Sequence, residues 1–252
     1  MFKLDQAVVQ ASEAWRKARK LCFLLPVPLY RRGLRSGVAA AIEHRSVAFE
    51  HDFTTVIDVG SHRGQFALFA AHRFPKASLL CFEPLPRAAD TVQRVLPPSV
   101  QARVYNVALG SSSGTAELHV PKDDDASSLL PIERDVPRVV TEAITSVPVR
   151  CARLDELVDP DVAREPCLLK IDVQGYELEV LRGAEGVLPR ITEILVECSF
   201  DEFYGGQALA DDVVSYLHER GFRLRGVFSL IRDELRCLQA DFLFVREGTV
   251  TD

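Results

Sequence analysis

Residues 54–74 read TTVIDVGSHRGQFALFAAHRF, and this stretch decides the fold. Its first part is a short β-branched run that carries one aspartate and ends at Gly60. Apolar residues then recur at helical intervals from Phe66 until Pro75 stops the pattern. The stretch therefore predicts a buried strand, a tight turn and a helix in direct succession.

The same alternation of strand and helix continues along the chain. Four further apolar segments have the length and composition of buried strands: Ala77–Pro84, Arg103–Gly110, Cys167–Gln174 and Glu193–Phe200. Two last strands, at 222–230 and 239–246, are so close in sequence that they favour an antiparallel hairpin over a helical crossover. The pattern predicts an α/β fold with a Rossmann-like seven-stranded sheet, mostly parallel, with a terminal antiparallel hairpin.

The N-terminal part of the chain has a different pattern. Apolar residues at helical spacing over 4–20, and a second helical pattern over Gly37–Glu50, predict an N-terminal helical extension. We assign this extension to residues 1–50 and the main domain to residues 51–252.

Two central segments also interrupt the alternation. Gly114–Val120 has the pattern of an added strand. Residues 121–140 are polar and rich in proline, so they are a candidate loop or lid.

The charge balance argues against a nucleic-acid partner. The 252 residues include 36 acidic and 30 basic side chains, which gives a formal net charge of −6. A duplex-binding protein normally has a basic surplus, because neutralising phosphates supplies most of its affinity. We therefore expect a small or weakly charged substrate and no nucleic acid.

The cysteines and one apolar run bear on location. No two of the six cysteines lie within ten residues of each other, so we expect free thiols in a reducing cytoplasm. The six histidines show no spacing that is typical of metal ligands. Leu21–Tyr30 is apolar but contains two prolines and is too short to span a bilayer. Because Arg31, Arg32 and Arg35 follow it, a weak membrane-surface contact stays open beside ordinary packing. The sequence leaves the oligomeric state open.

Four of the five predicted parallel strands end in a carboxylate. The four residues are Asp58, Glu83, Asp172 and Glu197. In an open α/β sheet, ligands bind beyond the carboxyl ends of the strands, so these side chains predict one shared acidic crevice. S-adenosylmethionine suits such a crevice, because it carries a sulfonium cation, an ammonium group and two ribose hydroxyls.

The loops beside this crevice have the residue types that a nucleoside site needs. Gly60 lets the first turn close tightly, and Gly64 lets cofactor and helix approach the backbone. Glu83 is placed to accept hydrogen bonds from two ribose hydroxyls, a device that NAD sites share. Asn106 ends the third strand where an adenine would sit, and its amide or nearby backbone groups can read the purine edge.

Asp172 and Glu197 end neighbouring strands, and the sequence leaves three roles open for them. They can deprotonate an acceptor hydroxyl, hold a divalent metal such as Mg²⁺, or bind the amino group of the cofactor. A positioned general base contributes about 10²–10⁴-fold to a rate. Most of the remaining acceleration would come from holding acceptor oxygen, methyl carbon and sulfur in line.

Together the motifs resemble the FkbM family of methyltransferases, within the class I S-adenosylmethionine-dependent fold. The matching segments keep the family's order over about residues 37–246: VIDVGSHRGQFALFA, FEPL, NVALG, SSLL, RLDEL, LLKIDVQGYELEVLRGA, ILVECSF followed by Y, GF and ADFLFVR. The long block Lys170–Ala184 and the order of the set are the specific parts of this resemblance.

The resemblance implies transfer of a methyl group, usually to an oxygen of a sugar or natural product. It places cofactor contacts on Asp58, Gly60, Gly64, Glu83 and Asn106. It places Asp172 and Glu197 at the reacting centre as the catalytic residues. Two departures stand out: Ser61-His62 replaces the frequent Ala-Asn, and Gln174 replaces a frequent Glu, which makes Gln174 a poor candidate for the base.

The expected function is therefore O-methylation of a hydroxyl on a sugar, glycolipid or secondary metabolite. An NAD-dependent oxidoreductase is one alternative, since it would share Glu83 and the first turn. However, the GxGxxG spacing and an obvious hydride-transfer pair are missing. A nonenzymatic binding module of the same fold is the other alternative, and acids at four strand ends argue against it.

Overall fold

The computed structural model describes residues 18–133, 144–233 and 235–248. Its described strands are β1 (Thr55–Val59), β2 (Ser78–Phe82), β3 (Ala102–Tyr105), β4 (Ala108–Leu109), β5 (Gly114–Val120), β6 (Thr145–Ala152), β7 (Cys167–Ile171), β8 (Glu193–Ser199), β9 (Phe222–Asp233) and β10 (Arg236–Arg246). Seven of them form the central sheet in the order β3-β2-β1-β7-β8-β10-β9. The first five are parallel, and β10 lies antiparallel between β8 and β9. The predicted Rossmann-like sheet with its terminal antiparallel hairpin is confirmed.

Helices cover both faces of this sheet. They are α1 (Pro28–Arg35), α2 (Gln65–Arg73), α3 (Pro86–Val95), α4 (Leu154–Leu157), α5 (Glu177–Arg182) and α6 (Ala210–His218). Successive strand residues alternate between two cores: Val56 packs with the residues of α2 and α3, whereas Ile57 packs with those of α5 and α6. Burial on both faces explains why the parallel strands are apolar throughout.

The N-terminal extension differs from its prediction. Most of the helix predicted at 4–20 lies outside the described residues. The described part begins at residue 18, and residues 18–24 are helical. The predicted helix over Gly37–Glu50 is wrong, because only a 3₁₀ turn at Ile42–Ser46 forms there. A second regular helix, α1, begins at Pro28, a residue suited to a first turn.

The apolar residues that suggested a second helix have another role. Val38, Ala40, Ala41 and Val47 are buried in the same core as α2 and the sheet. The segment is therefore apolar because it is a connecting loop that packs against the core. Its apolar spacing does not require a helix. The boundary at residue 50 stays a prediction.

The third predicted strand, Arg103–Gly110, divides into two. Its first half is β3 of the central sheet, and its second half, β4, joins a small sheet of order β4-β6-β5. Strand β5 is the added strand predicted at Gly114–Val120. Strand β6 was not predicted, because Pro148 interrupts its pattern. Proline is tolerated there because β4 pairs with β6 only at Cys151 and Ala152.

Candidate active site

A cavity of about 410 Å³ lies at the carboxyl ends of β1, β2, β7 and β8. Its volume falls within the range of roughly 300–1,000 Å³ that is typical of small-molecule sites. Four of the predicted site residues line it: Gly60, Glu83, Asp172 and Glu197. The other three predicted residues, Asp58, Gly64 and Asn106, are not part of this lining. The sheet therefore brings four of the seven predicted residues to one cavity.

Glu83 follows β2 and is fixed by the backbone around it. Its two carboxylate oxygens accept hydrogen bonds from the backbone N–H of His62 and of Leu85, both at 2.8 Å. Burial raises the pKa of Glu83 to about 7, against the lowering effect of these two N–H groups and of His62. Each oxygen keeps a second lone pair, so the carboxylate is held in position and can still accept ligand hydroxyls.

Asn106 supports Glu83 rather than lining the cavity. Its amide nitrogen donates to the backbone carbonyls of Glu83, at 2.9 Å, and Pro84, at 2.8 Å. Both donor hydrogens are therefore used within the protein. The residues that follow it, Val107 and Leu109, do line the cavity. A direct contact of the Asn106 side chain with a cofactor stays a prediction.

Asp58 is buried behind the cavity against Lys170. The Lys170 ammonium lies 3.4 Å from an Asp58 oxygen and 3.5 Å from an Asp172 oxygen. Apart from this ion pair, neither Asp58 oxygen has a hydrogen-bond partner among the described residues. Burial raises the pKa of Asp58 despite the Lys170 charge. Burial alone would lower the pKa of Lys170, but the charges of Asp172 and Asp58 outweigh it and raise that pKa.

The two glycines of the first turn are required by close approaches. Gly60 has φ of 75°, and a Cβ there would lie 1.7 Å from the backbone oxygen of Asp172. Gly64 has φ of 94°, and a Cβ there would lie 3.2 Å from a methyl group of Val95 on α3. Both backbone conformations favour glycine. Gly60 therefore lets β1 and β7 end side by side at the cavity, and Gly64 lets α2 and α3 pack closely.

Asp172 and Glu197 are joined by the amide of Gln174. The Gln174 nitrogen donates to an Asp172 oxygen at 2.8 Å and to a Glu197 oxygen at 2.9 Å. Gln174 has φ of 57°, which is uncommon for a residue other than glycine and is typical of functional sites. The prediction that the two acids meet at one site is thus supported by a side chain that contacts both.

Glu197 is the more strongly perturbed of the two acids. Burial raises the pKa of Glu197 well above its ordinary value, and the charges of Asp172 and Asp241 raise it further. Asp172 is more open, with 37% of its side chain exposed. The pair therefore combines a carboxyl group facing solvent with one whose ionisation is strongly disfavoured by its surroundings.

Another part of the cavity lining is apolar. It includes Leu85, Val107, Leu109, Leu118 and Leu129. These residues come from the loop after β2, the β3–β4 connection, β4, β5 and the following loop. The cavity is therefore amphipathic, with apolar lining from around β4 and β5 and charged lining from the ends of β7 and β8.

The segment predicted as a lid contributes to this site. Its described part contains a 3₁₀ turn at Asp124–Ala126, and Asp124 and Asp125 line the cavity. The His62 ring lies between them, with one nitrogen 3.0 Å from Asp124 and the other 2.8 Å from Asp125. Arg63 donates to both oxygens of Asp124, at 2.8 and 2.9 Å.

These three groups are the candidate metal cluster that the described residues contain. The ligand atoms of His62, Asp124 and Asp125 all lie within 4.8 Å of one another. The sequence did not predict this cluster, because His62 is about sixty residues from the two aspartates and no spacing signals it. Since the Arg63 cation pairs with Asp124, the arrangement is accounted for as an ion-pair network without a metal.

Two further residues of the site, Lys170 and Tyr204, were missed by the sequence analysis, and a third, Gln174, was considered there only as a poor candidate for the base. Tyr204 is fully buried, and its hydroxyl donates to the side-chain oxygen of Gln174 at 2.9 Å. A lysine inside an apolar strand was the available signal for the first. No local pattern links Tyr204 to Gln174.

Sequence comparison places this site in a known family. Residues 58–224 match the model of the Methyltransferase FkbM domain. The 2-O-methyltransferase NoeI of Sinorhizobium fredii is 26% identical over an alignment of 188 residues that covers 71% of this chain and 77% of that protein. The hexuronic acid methyltransferase AglP of Haloferax volcanii is 31% identical over 142 residues, which are 56% of this chain and 54% of that protein.

Structure comparison supports the fold. A crystal structure of a methyltransferase FkbM from Methylobacillus flagellatus KT superposes with a TM-score of 0.53 and 14% identity. The superposition covers 92% of this chain and 60% of that one, so the solved chain is considerably longer. The family match covers well over half of the chain and includes Asp58, Glu83, Asp172 and Glu197. The chain belongs to the FkbM methyltransferase domain family and is a methyltransferase.

Proposed function

We propose that the cavity binds S-adenosylmethionine with adenine against the apolar lining and the reacting methyl group at the Asp172–Glu197 end. The observation that carries this proposal is a single amphipathic cavity with Glu83 fixed along it and the acid pair beyond. Glu83 would accept the ribose hydroxyls, and the acidic end would favour the cationic groups. When bound, S-adenosylmethionine supplies an electrophilic methyl group on a sulfonium.

Within this proposal, Glu197 is the general base. A catalytic base works best when its pKa lies near the working pH, and burial raises the pKa of Glu197 in that direction. Its carboxylate accepts the proton of the acceptor hydroxyl, while Lys170 offsets part of the charge of Asp172. Gly60 lets the ends of β1 and β7 lie close together, and Gln174 links the ends of β7 and β8. Acceptor and methyl donor would therefore meet in one place.

The charges along the cavity favour a neutral acceptor such as a sugar hydroxyl. Six acids line it: Glu43, Glu83, Asp124, Asp125, Asp172 and Glu197. Lys170 is the lysine of this lining, and it is already paired with Asp58 and Asp172. An acceptor with a carboxylate would meet this acidic surface without an unpaired lysine or arginine among the described lining residues, whereas hydroxyl groups can donate to it. We therefore propose O-methylation of a neutral sugar, glycolipid or secondary metabolite.

Calorimetry with S-adenosylhomocysteine tests the cofactor assignment. We expect binding by the wild type and by Glu197→Gln, together with loss of about 10²–10⁴-fold in methyl transfer for the variant. A panel of neutral glycosides and matched uronic acids provides the acceptors. Absence of binding at millimolar ligand would exclude the cofactor, and unchanged turnover of both Glu197→Gln and Asp172→Asn would exclude the catalytic assignment.

The space between Asp172 and Glu197 decides whether this pair can hold a divalent metal ion. A metal ion could bridge the two carboxylates only if that space were free, but the Gln174 amide nitrogen lies there. The residues present therefore do not fit a bridging Mg²⁺ at this pair. We expect methyl transfer to continue after treatment with EDTA.

We also propose a weak contact with a membrane surface through the N-terminal segment. None of the helices within the described residues is long and apolar enough to cross a membrane. However, Leu21, Phe23 and Leu25 are exposed, and Arg31 and Arg35 lie close behind them in sequence. Flotation with anionic vesicles tests the contact, and loss of flotation in Phe23→Ser would support it. The cytoplasmic location stays a prediction.

A further inference from the structure

The amide of Gln174 occupies a position between two carboxylates where other acidic pairs need a proton or a cation. Its nitrogen is 2.8 Å from Asp172 and 2.9 Å from Glu197. An amide nitrogen has two hydrogens, so it can donate one to each acid. Both hydrogen bonds favour the ionised form of the acid that accepts them.

The orientation of this amide is set by its other contacts. The Tyr204 hydroxyl donates to the Gln174 side-chain oxygen, so that end of the amide faces Tyr204 and the nitrogen faces the acids. Ser128 donates to the Gln174 backbone oxygen at 2.6 Å. The Tyr204 ring packs against Gly175, where an added Cβ would lie 3.0 Å from the ring. Three contacts from two other segments therefore hold the Gln174–Gly175 turn in its left-handed conformation.

From this geometry we infer that Gln174 is a positioning residue that takes the place of a bridging cation, keeping Asp172 and Glu197 together as acceptors and closing the pair to divalent metals. The inference rests on the proposed function only in calling Glu197 the base. It assigns a specific task to Gln174 and to Tyr204, neither of which is required to touch the acceptor.

The surroundings of Glu197 make this task necessary. The charged groups that face it from neighbouring elements are Asp172 and Lys170 beside β7, Glu177 on α5 and Asp241 on β10. Asp241 in turn lies 3.4 Å from a His44 ring nitrogen. Three acids and one lysine leave the position short of positive charge, so without the Gln174 donor the pair would retain a proton to higher pH. Gln239 is a second donor, but it is 3.4 Å from Glu197.

Titration of the Glu197 carboxyl group tests the inference without an acceptor. Protein with carbon-13 in its glutamate carboxyl groups is titrated by NMR, and Glu197→Gln identifies the signal. In Gln174→Met, which retains a side chain of similar length but no donor, we expect the Glu197 midpoint to rise by roughly one pH unit. Gln239→Met is the matched control, with a smaller rise. Coincident titrations of Gln174→Met and wild type would overturn the inference.

Two further measurements separate the parts of the inference. Tyr204→Phe retains the ring but frees the amide, so the Glu197 midpoint should move in the same direction by less. Manganous ion should broaden the Glu197 signal in Gln174→Glu and not in wild type. Broadening in the wild type, or in neither protein, would overturn the claim that Gln174 closes the pair. Failure of S-adenosylhomocysteine to bind the wild type would instead refute the proposed function and leave these results standing.

Discussion

At the scale of single residues, the site depends on side chains that are fixed before any ligand arrives. Glu83 is oriented by two backbone N–H groups, and Asn106 secures the carbonyls beside it. Such preorganisation lowers the entropic cost of ligand binding. The same residues can therefore be tested one at a time with conservative substitutions.

We expect Glu83→Gln to weaken S-adenosylhomocysteine binding by about 10- to 100-fold, because a charged acceptor of hydrogen bonds becomes neutral. Isothermal calorimetry measures the affinity. Glu219→Gln, on the surface, is the control and should bind like the wild type. An unchanged affinity in a folded Glu83→Gln protein would show that this carboxylate does not contact the ligand.

Gly60→Ala and Gly64→Ala should differ in their effect on stability, although both residues have positive φ. A Cβ at residue 60 would overlap a backbone oxygen, which cannot move aside, whereas at residue 64 it would meet a side-chain methyl group. We expect a loss of roughly 4 kcal/mol or more for Gly60→Ala and about 1–2 kcal/mol for Gly64→Ala. Urea unfolding gives both values, and a smaller loss for Gly60→Ala would contradict the geometry.

At the scale of elements, the 3₁₀ turn Asp124–Ala126 is attached to the first βα turn by charge. His62 and Arg63 belong to the turn that also contacts Glu83, so the lid segment and the cofactor loop share residues. Burial alone would lower the pKa of His62, but hydrogen bonds and charges from Asp125 and Asp124 outweigh it and raise that pKa. The attachment therefore depends on a protonated imidazole.

This attachment should weaken as pH rises. Because the pKa of His62 is raised in the folded state, the stabilisation from its protonated ring is fully present below the ordinary pKa of 6.5. This stabilisation is lost as the pH rises through the higher pKa of the folded state. We expect amide hydrogen exchange at Ser127 and Ser128, corrected for intrinsic rates, to accelerate above pH 6.5 in the wild type. In His62→Gln the corrected rates should be high and independent of pH. A pH-independent wild type would refute the role of His62, and Arg63→Gln shows what the second cation adds.

At the scale of the whole molecule, the crevice concentrates acids whose ionisation folding disfavours. Burial raises the pKa of Asp58, Glu83, Glu177, Glu197 and Asp241, and also that of Glu193 at the opposite edge of the sheet. For Glu83 and Glu177 it rises from 4.5 to about 7. Ionising these buried acids carries an electrostatic cost that a cationic ligand can relieve.

The free energy of unfolding should consequently fall as pH rises between about 4.5 and 7. Native acids with raised pKa bind more protons than the unfolded chain does, so the slope against pH is negative, and His62 acts in the same direction above 6.5. Urea unfolding at several pH values should show a loss of roughly 2–4 kcal/mol. The double variant Glu83→Gln/Glu177→Gln should have a flatter profile. A wild-type stability that rises over this window would contradict the raised pKa values.

Much of the fold could be predicted because it depends on local patterns. This is true of the apolar strands, the helices after β1 and β2, and the final hairpin. Each has a sequence pattern that indicates which of its own residues are buried. The prediction was wrong at Gly37–Glu50, where apolar residues are buried in a connection, and it joined β3 to β4. In both places the deciding contacts lie in distant parts of the chain.

The sequence by itself determined the sheet, the family and the four acids at strand ends, since these follow from local composition and from the rule that parallel strands share one edge. Only the tertiary structure decided which atoms meet. Tyr204 reaches Gln174, Lys170 reaches Asp58, and His62 reaches Asp124 across separations of 30, 112 and 62 residues. Such contacts depend on chain crossings and burial, because no periodic signal records which side chains a folded sheet brings to one cavity.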